Sequence, residues 1–304
     1  ETLDVIQNLY EKKLVTYPAA PGIMPENVQN MLILEYGTEE SLKIIAKRAD
    51  ELAAVLVEPV QSRRPDFQPV DFLHKLRDLT TKFEIPLIFD EVITGFRMHP
   101  GGAQALFGIQ ADIATYGKVI GGGLPIGAIV GKRKYMDALD GGHWQYGDDS
   151  IPEVGVTYFA GTFVRHPLAL AASKASLMHL KNQGPALQEK LNEMTSRLAT
   201  DLNTEFKKRE LPMIINHFGS LWRLKFNDDV LYGELLFTLL RENSIHIWDG
   251  FPCFLTEVYK DEDVTMIIET FKICLTKMIA AGFFISASPA RSSNESVIIN
   301  SNKP

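Results

Sequence analysis

Cysteine is nearly absent from the 304-residue chain. Cys253 and Cys274 are the only two, which excludes a disulfide framework and leaves no thiolate cluster for a metal. The seven histidines are scattered, and His74, His179 and His217 fall within helix or strand patterns where a structural role is expected. No apolar run reaches membrane-spanning length and no signal peptide is visible, so neither a membrane partner nor export is expected. An excess of positive charge is lacking too: the net charge is −7 with acids and bases interspersed, which argues against a nucleic-acid surface. What remains is 45% hydrophobic, enough for a large core and two domains in a soluble, cytoplasmic protein.

Two segments stand out. Leu87-Ile88-Phe89 is an apolar run closed by Asp90, and Lys118 follows 28 residues after Asp90, inside Tyr116-Gly117-Lys118-Val119-Ile120-Gly121-Gly122-Gly123. An acid that ends a buried parallel strand lies where such a sheet opens its ligand crevice. A lysine amine can hold an aldehyde covalently, and a carboxylate against a pyridine nitrogen keeps that ring protonated as an electron sink. Together these are the residue types a pyridoxal 5′-phosphate site needs. Each alone has a plainer reading, the acid as a helix cap or ion-pair partner and the lysine as a solvated loop residue. A phosphate-binding P-loop fits poorly, because the glycines follow the lysine and Val119 stands where Ser or Thr belongs.

The remaining pattern is an alternation of amphipathic helices and apolar strands, which implies an α/β fold with a mostly parallel sheet. Glu39 to Leu52 reads as a helix feeding the strand Ala54 to Val60; Phe72 to Phe83 is a second helical stripe before the strand Ile85 to Phe89. Ile126 to Val130 reads as a short strand after the lysine turn. Pro167 opens a helix at its first turn, running to Asn182. Leu187, Leu191, Met194, Leu198, Leu202 and Phe206 then mark one face of a long helix. Met213 to Asn216, Leu221 to Phe226 and Ile245 to Trp248 suggest strands of a smaller unit closed by a helix from Asp261 to Ala281, capped by Asp261 or Asp263. The expected domains are residues 1–183, 184–284 and a linker-like tail, 285–304, rich in Ser, Asn and Pro.

Phe89 to Arg97 and Tyr116 to Gly127, taken with Val57-Glu58-Pro59-Val60, Ala160-Gly161-Thr162-Phe163 and His166-Pro167-Leu168-Ala169, resemble the class III aminotransferases of pyridoxal phosphate fold type I, in particular the glutamate-1-semialdehyde aminomutase branch. The likeness runs from about Pro21 to Phe284. Val57 to Pro65, Tyr146 to Ser150 and Gly155 to Pro167 further resemble aminotransferase domains of hybrid polyketide and nonribosomal peptide synthetases. The resemblance implies a large cofactor-binding domain, a small α+β C-terminal domain and the following roles. Lys118 holds the cofactor and acts as general base and acid. Asp90 pairs with the ring nitrogen. Val92 packs on the ring or is simply a core valine. Thr162 reaches the phosphate of a neighbouring subunit, which implies a homodimer. Glu58 either contacts substrate or cofactor or serves as an ion-pair partner.

Departures from the family pattern matter as well. The Ser-Gly-Thr type turn that holds the cofactor phosphate, and the aromatic that stacks on the ring, are not visible before Pro21; Glu1 to Tyr17 reads as polar and partly helical. The N-terminal part of the fold is therefore expected to be missing or supplied by other residues. Arginine is absent from Asp249 to Asp261, where many relatives carry one to clamp an α-carboxylate, although Arg63, Arg64, Arg165 or Arg223 could replace it. The leading expectation is amino transfer from an amino acid donor to a β-ketoacyl thioester on an acyl carrier protein. A free-standing glutamate-1-semialdehyde 2,1-aminomutase is the alternative, and a catalytically silent docking module is the alternative of another class.

Overall fold

The computed structural model describes residues 31–137, 139, 144–145, 147–151, 164–227 and 230–284. Thr162, the Ala160 to Phe163 match, Tyr146, Glu1 to Tyr17 and the 285–304 tail lie outside the described residues.

Helix α1 (Glu39–Lys47) starts where Thr38 accepts the Ser41 amide on its hydroxyl, with Glu39 and Glu40 in the first turn and Lys47 in the last, as the helix dipole favours. It buries Leu42 and Ile45 and stops at Arg48; the expected continuation to Leu52 is a separate 3-10 turn, Ala49–Glu51. Strand β1 (Val55–Val57) follows, then α2 (Val70–Lys82), β2 (Leu87–Asp90), α3 (Gly102–Phe107), β3 (Ile113–Tyr116), β4 (Ala128–Gly131) and α4 (Arg133–Met136). The sheet order is β1-β2-β3-β4. The first three strands are parallel, whereas β4 runs antiparallel to β3. The connection from β3 to β4 contains no crossover α-helix, only a 3-10 turn (Lys118–Gly121) and the glycines around it, so the chain doubles back. Asp112 pins the start of β2: its Oδ2 accepts the Leu87 amide at 2.9 Å and pairs with Arg77 at 2.8 Å, and its Oδ1 meets Lys132 at 2.6 Å.

Helix α5 (Pro167–Gln183) carries Pro167 at its first turn, where the missing N–H costs nothing. Helix α6 (Pro185–Lys208) buries Leu191, Met194, Leu198, Leu202 and Phe206 along one face. It packs on β5 (Met213–Phe218) of an antiparallel sheet β5-β6-β7, in which β6 spans Leu221–Phe226 and β7 Cys253–Phe254. Helices α7 (Leu235–Glu242) and α8 (Asp261–Ala280) complete this core, with Phe206, Leu236, Leu240, Phe271 and Leu275 at its centre.

Two expectations need correction. Ile245 to Trp248 is not a strand. The segment wraps the end of α7, with the Ile245 amide bonded to the Leu240 carbonyl at 2.9 Å. Its alternation is real, because Ile245 and Ile247 are buried, but the ladder position beside β6 belongs to β7. Likewise α8 is not capped by Asp261 or Asp263 at the N-cap, which is Lys260; Asp263 instead accepts the Lys260 amide at 2.8 Å from within the first turn.

Among the histidines, His74 is exposed on α2, His179 pairs with Glu257 at 2.6 Å, and burial pushes the β5 residue His217 below its ordinary pKa. Val60 and Met98 from the first half and Phe218 and Leu221 from the second form a small shared cluster that ties the two sheets together.

Candidate active site

The parallel strands deliver their carboxyl ends to one edge of the first sheet. Asp90 is the last residue of β2 and stands in register with Thr115 of β3. Its Oδ1 accepts the Val92 amide at 3.0 Å and the Thr115 hydroxyl at 3.2 Å, which fixes the carboxylate. Its Oδ2 accepts no hydrogen bond from the described residues. On the neighbouring strand β3 ends at Tyr116, and Gly117 and Lys118 follow. Lys118 is exposed and has no hydrogen-bond or ion-pair partner among the described residues.

The lysine turn is held from two sides. Ser176 of α5 donates to the Val119 carbonyl at 3.0 Å. A side chain at Gly122 would sit 3.2 Å from the Ala172 carbonyl of the same helix, on a backbone with φ +56°. A Cβ at Gly117 would sit 3.3 Å from Val92 Cγ1. Val92 therefore lies between the end of the Asp90 strand and the root of the lysine turn. Lys118 itself has φ +50°, a left-handed conformation that costs a side-chain-bearing residue about 1 kcal/mol or more.

Glu58 follows β1 directly and joins this edge. One of its oxygens accepts the Ser62 amide at 2.9 Å. Burial pushes its pKa from 4.5 up to about 7, the Ser62 amide opposes that, and the charge of Asp90 adds to it. No ion-pair partner for Glu58 occurs among the described residues. Tyr36 donates its hydroxyl to the Pro59 carbonyl at 2.7 Å, and burial followed by the Glu58 charge raises its pKa, so it stays a phenol.

Sequence reading missed two supports. Thr115 is invisible as a ligand of Asp90 until strand register is known. Glu91 is fully buried and caps a helix: it accepts the Thr94 hydroxyl at 2.6 Å and the Ala103 and Gln104 amides of α3 at 3.0 and 2.9 Å. The Gly101-Gly102 pair beyond it was the available signal, since a Cβ on Gly102 would fall 2.6 Å from Glu91 Oε2. No group of three or more His, Cys, Asp or Glu among the described residues could hold a metal ion, and none of their helices is long and apolar enough to cross a membrane.

A carboxylate with one oxygen fixed and the other open, and an unpartnered amine in the turn that follows the next strand, are groups that suit a protonated ring nitrogen and an aldehyde. Known proteins resemble the chain over most of its length. The glutamate-1-semialdehyde 2,1-aminomutase 2 of Brevibacillus brevis is 36% identical over 270 residues, covering 83% of this chain and 59% of that protein. The glutamate-1-semialdehyde 2,1-aminomutase of Desulforapulum autotrophicum is 42% identical over 207 residues, 67% of this chain and 45% of that protein. A transaminase solved with PLP bound superimposes with a TM-score of 0.72 at 26% identity, over 89% of this chain and 62% of that one, which gives the chain the fold type I architecture. The chain spans less than two thirds of each of these proteins. The model of the aminotransferase class-III family matches residues 6–250, and the chain, carrying the acid and the lysine on adjacent strand ends within that stretch, belongs to this family.

Proposed function

We propose that the protein moves amino groups with pyridoxal 5′-phosphate, held by Lys118 and Asp90. The observation that carries this reading is the placement of an unpartnered lysine amine and a half-satisfied carboxylate at the ends of two paired parallel strands. The bound cofactor supplies an electron sink for the bond to be broken. Asp90, with Oδ2 accepting no hydrogen bond from the described residues, would hold the ring nitrogen in its protonated form. Val92 covers the root of the site, and Lys118 Nζ accepts the proton from the amine-bearing substrate carbon and returns it as general acid. Thr162 is assigned to the phosphate of a neighbouring subunit in a homodimer.

The relatives favour glutamate-1-semialdehyde as the compound acted on, which makes aminomutation the first reading of the reaction. A second reading, amino transfer to a β-ketoacyl thioester on an acyl carrier protein, is favoured by the absence of arginine from Asp249 to Asp261 and by the Val57 to Pro65 string. Amination of a carrier-bound ketoacyl thioester but not turnover of the free semialdehyde selects the second, and the converse selects the first. For the chemistry itself, Lys118→Ala should lose both the visible absorption of lysine-linked cofactor and all turnover. A Lys118→Ala protein that keeps either one overturns the assignment.

A further inference from the structure

A cavity of about 190 Å³ adjoins the lysine turn, lined by Val119 but by none of Glu58, Asp90, Val92 and Lys118. Its apolar wall comes from Val119 itself, Leu180 of α5, Leu191 of α6 and Leu255 after β7, so it lies where the two halves of the molecule meet, a common place for small-molecule pockets. An apolar cavity of roughly 150 Å³ already holds a benzene ring. Two neutral polar side chains on the wall are left open. Gln188 is 2% exposed; its Nε2 donates to the Phe96 carbonyl at 3.0 Å, but its Oε1 accepts nothing among the described residues. Ser220, directly before β6, is 1% exposed, and its Oγ has no partner among the described residues either. Such groups cost free energy that a hydrogen-bonding occupant would recover. The charged groups of the wall are, by contrast, already engaged. Glu257 meets His179 at 2.6 Å, and Arg97 gives its Nε to the Ile93 carbonyl, with its guanidinium 4.0 Å from the centroid of the Phe254 ring. The wall therefore suits a neutral, mostly apolar occupant with a hydroxyl that donates to Gln188 Oε1, while the Ser220 hydroxyl can donate or accept. Ser176, also on the wall, donates to the Val119 carbonyl at 3.0 Å, so the occupant rests against both residues of the hydrogen bond that anchors the lysine turn.

We infer that this cavity is a binding site for a small, neutral, hydroxyl-bearing apolar molecule, separate from the groups assigned to the cofactor, and that its occupant steadies the Lys118 turn through Val119 and Ser176. The inference goes beyond the amino-transfer reading and uses none of its steps. Filling the space beside Val119 restricts the turn, and by linkage whatever orders the turn favours the occupant.

The test uses the full-length protein with pyridoxal 5′-phosphate present, and benzyl alcohol as the probe. A ligand-observed NMR titration should give saturable binding, about fivefold tighter than that of toluene, which matches the ring and lacks the hydroxyl. Ser220→Leu, which fills the space with a side chain, should abolish binding, and Gln188→Met should remove the preference for the alcohol. Binding that is absent in wild type, as in a cavity that holds only water, or that is unchanged in Ser220→Leu, overturns the site. So does a preference for the alcohol that survives Gln188→Met. If Ser220→Leu does not fold, the comparison of the two probes in wild type decides, and equal affinities overturn the site. In a second arm, amide hydrogen exchange across Gly117 to Gly122 should slow about threefold in wild type at saturating benzyl alcohol. Exchange that is unchanged at saturation overturns the effect on the turn.

Discussion

At the scale of single residues, the site is a set of charges whose state depends on their neighbours. Glu58 is the clearest case. Burial first, and then the charge of Asp90, raise its pKa from 4.5 to about 7 against the pull of the Ser62 amide. Because the folded value lies above the unfolded one, the contribution of Glu58 to stability is intact below pH 4.5 and is lost as the pH rises through about 7. Relative to wild type, Glu58→Gln should therefore gain stability between pH 5 and pH 8, by at most about 3 kcal/mol, in denaturant titrations at the two values. Lys118 and Asp90 were legible from sequence, since an acid ending an apolar run and a lysine among glycines are local signals. Thr115 was not, because its contact with Asp90 exists only through the pairing of β2 with β3. Arg223 was legible as a cation but not as the neighbour of Arg63, 160 residues away in the chain.

At the scale of elements, hydrophobic period gave the long helices well and the short strands less well. The stripe from Leu187 to Phe206 is one face of α6, because a helix of 24 residues repeats its signal over many turns. Ile245 to Trp248 carries the alternation of a strand without a neighbour to pair with, since burial alone produces that pattern. The most exacting element is α3, whose N-terminus is held by the buried carboxylate of Glu91. Gly102→Ala would place a methyl 2.6 Å from that carboxylate on a backbone with φ +67°. It should cost at least about 2 kcal/mol in thermal or denaturant unfolding, and it should lower cofactor occupancy as well, because Glu91 adjoins Asp90.

At the scale of the whole molecule, the two sheets are coupled behind the crevice. Gln188 and Asn192 of α6 donate to the Phe96 and Met98 carbonyls at 3.0 and 2.9 Å. Arg97 donates Nε to the Ile93 carbonyl and lies 4.0 Å from the centroid of the Phe254 ring of β7; burial lowers its pKa to about 10, so it remains a cation at neutral pH. A double-mutant cycle of Arg97→Met and Phe254→Leu should return a coupling of about 1–2 kcal/mol in unfolding; a value near zero would mean that the contact does not join the sheets. The strained backbone of Lys118 has a consequence of its own. Glycine meets no steric penalty at φ +50°, which outweighs its larger loss of chain entropy, and the exposed lysine side chain gives up little packing when removed. Lys118→Gly, compared without cofactor, should therefore outlast wild type by up to about 1 kcal/mol in calorimetry: the proposed chemistry and robustness pull against each other at this one position, and a screen for heat tolerance alone would discard the proposed nucleophile.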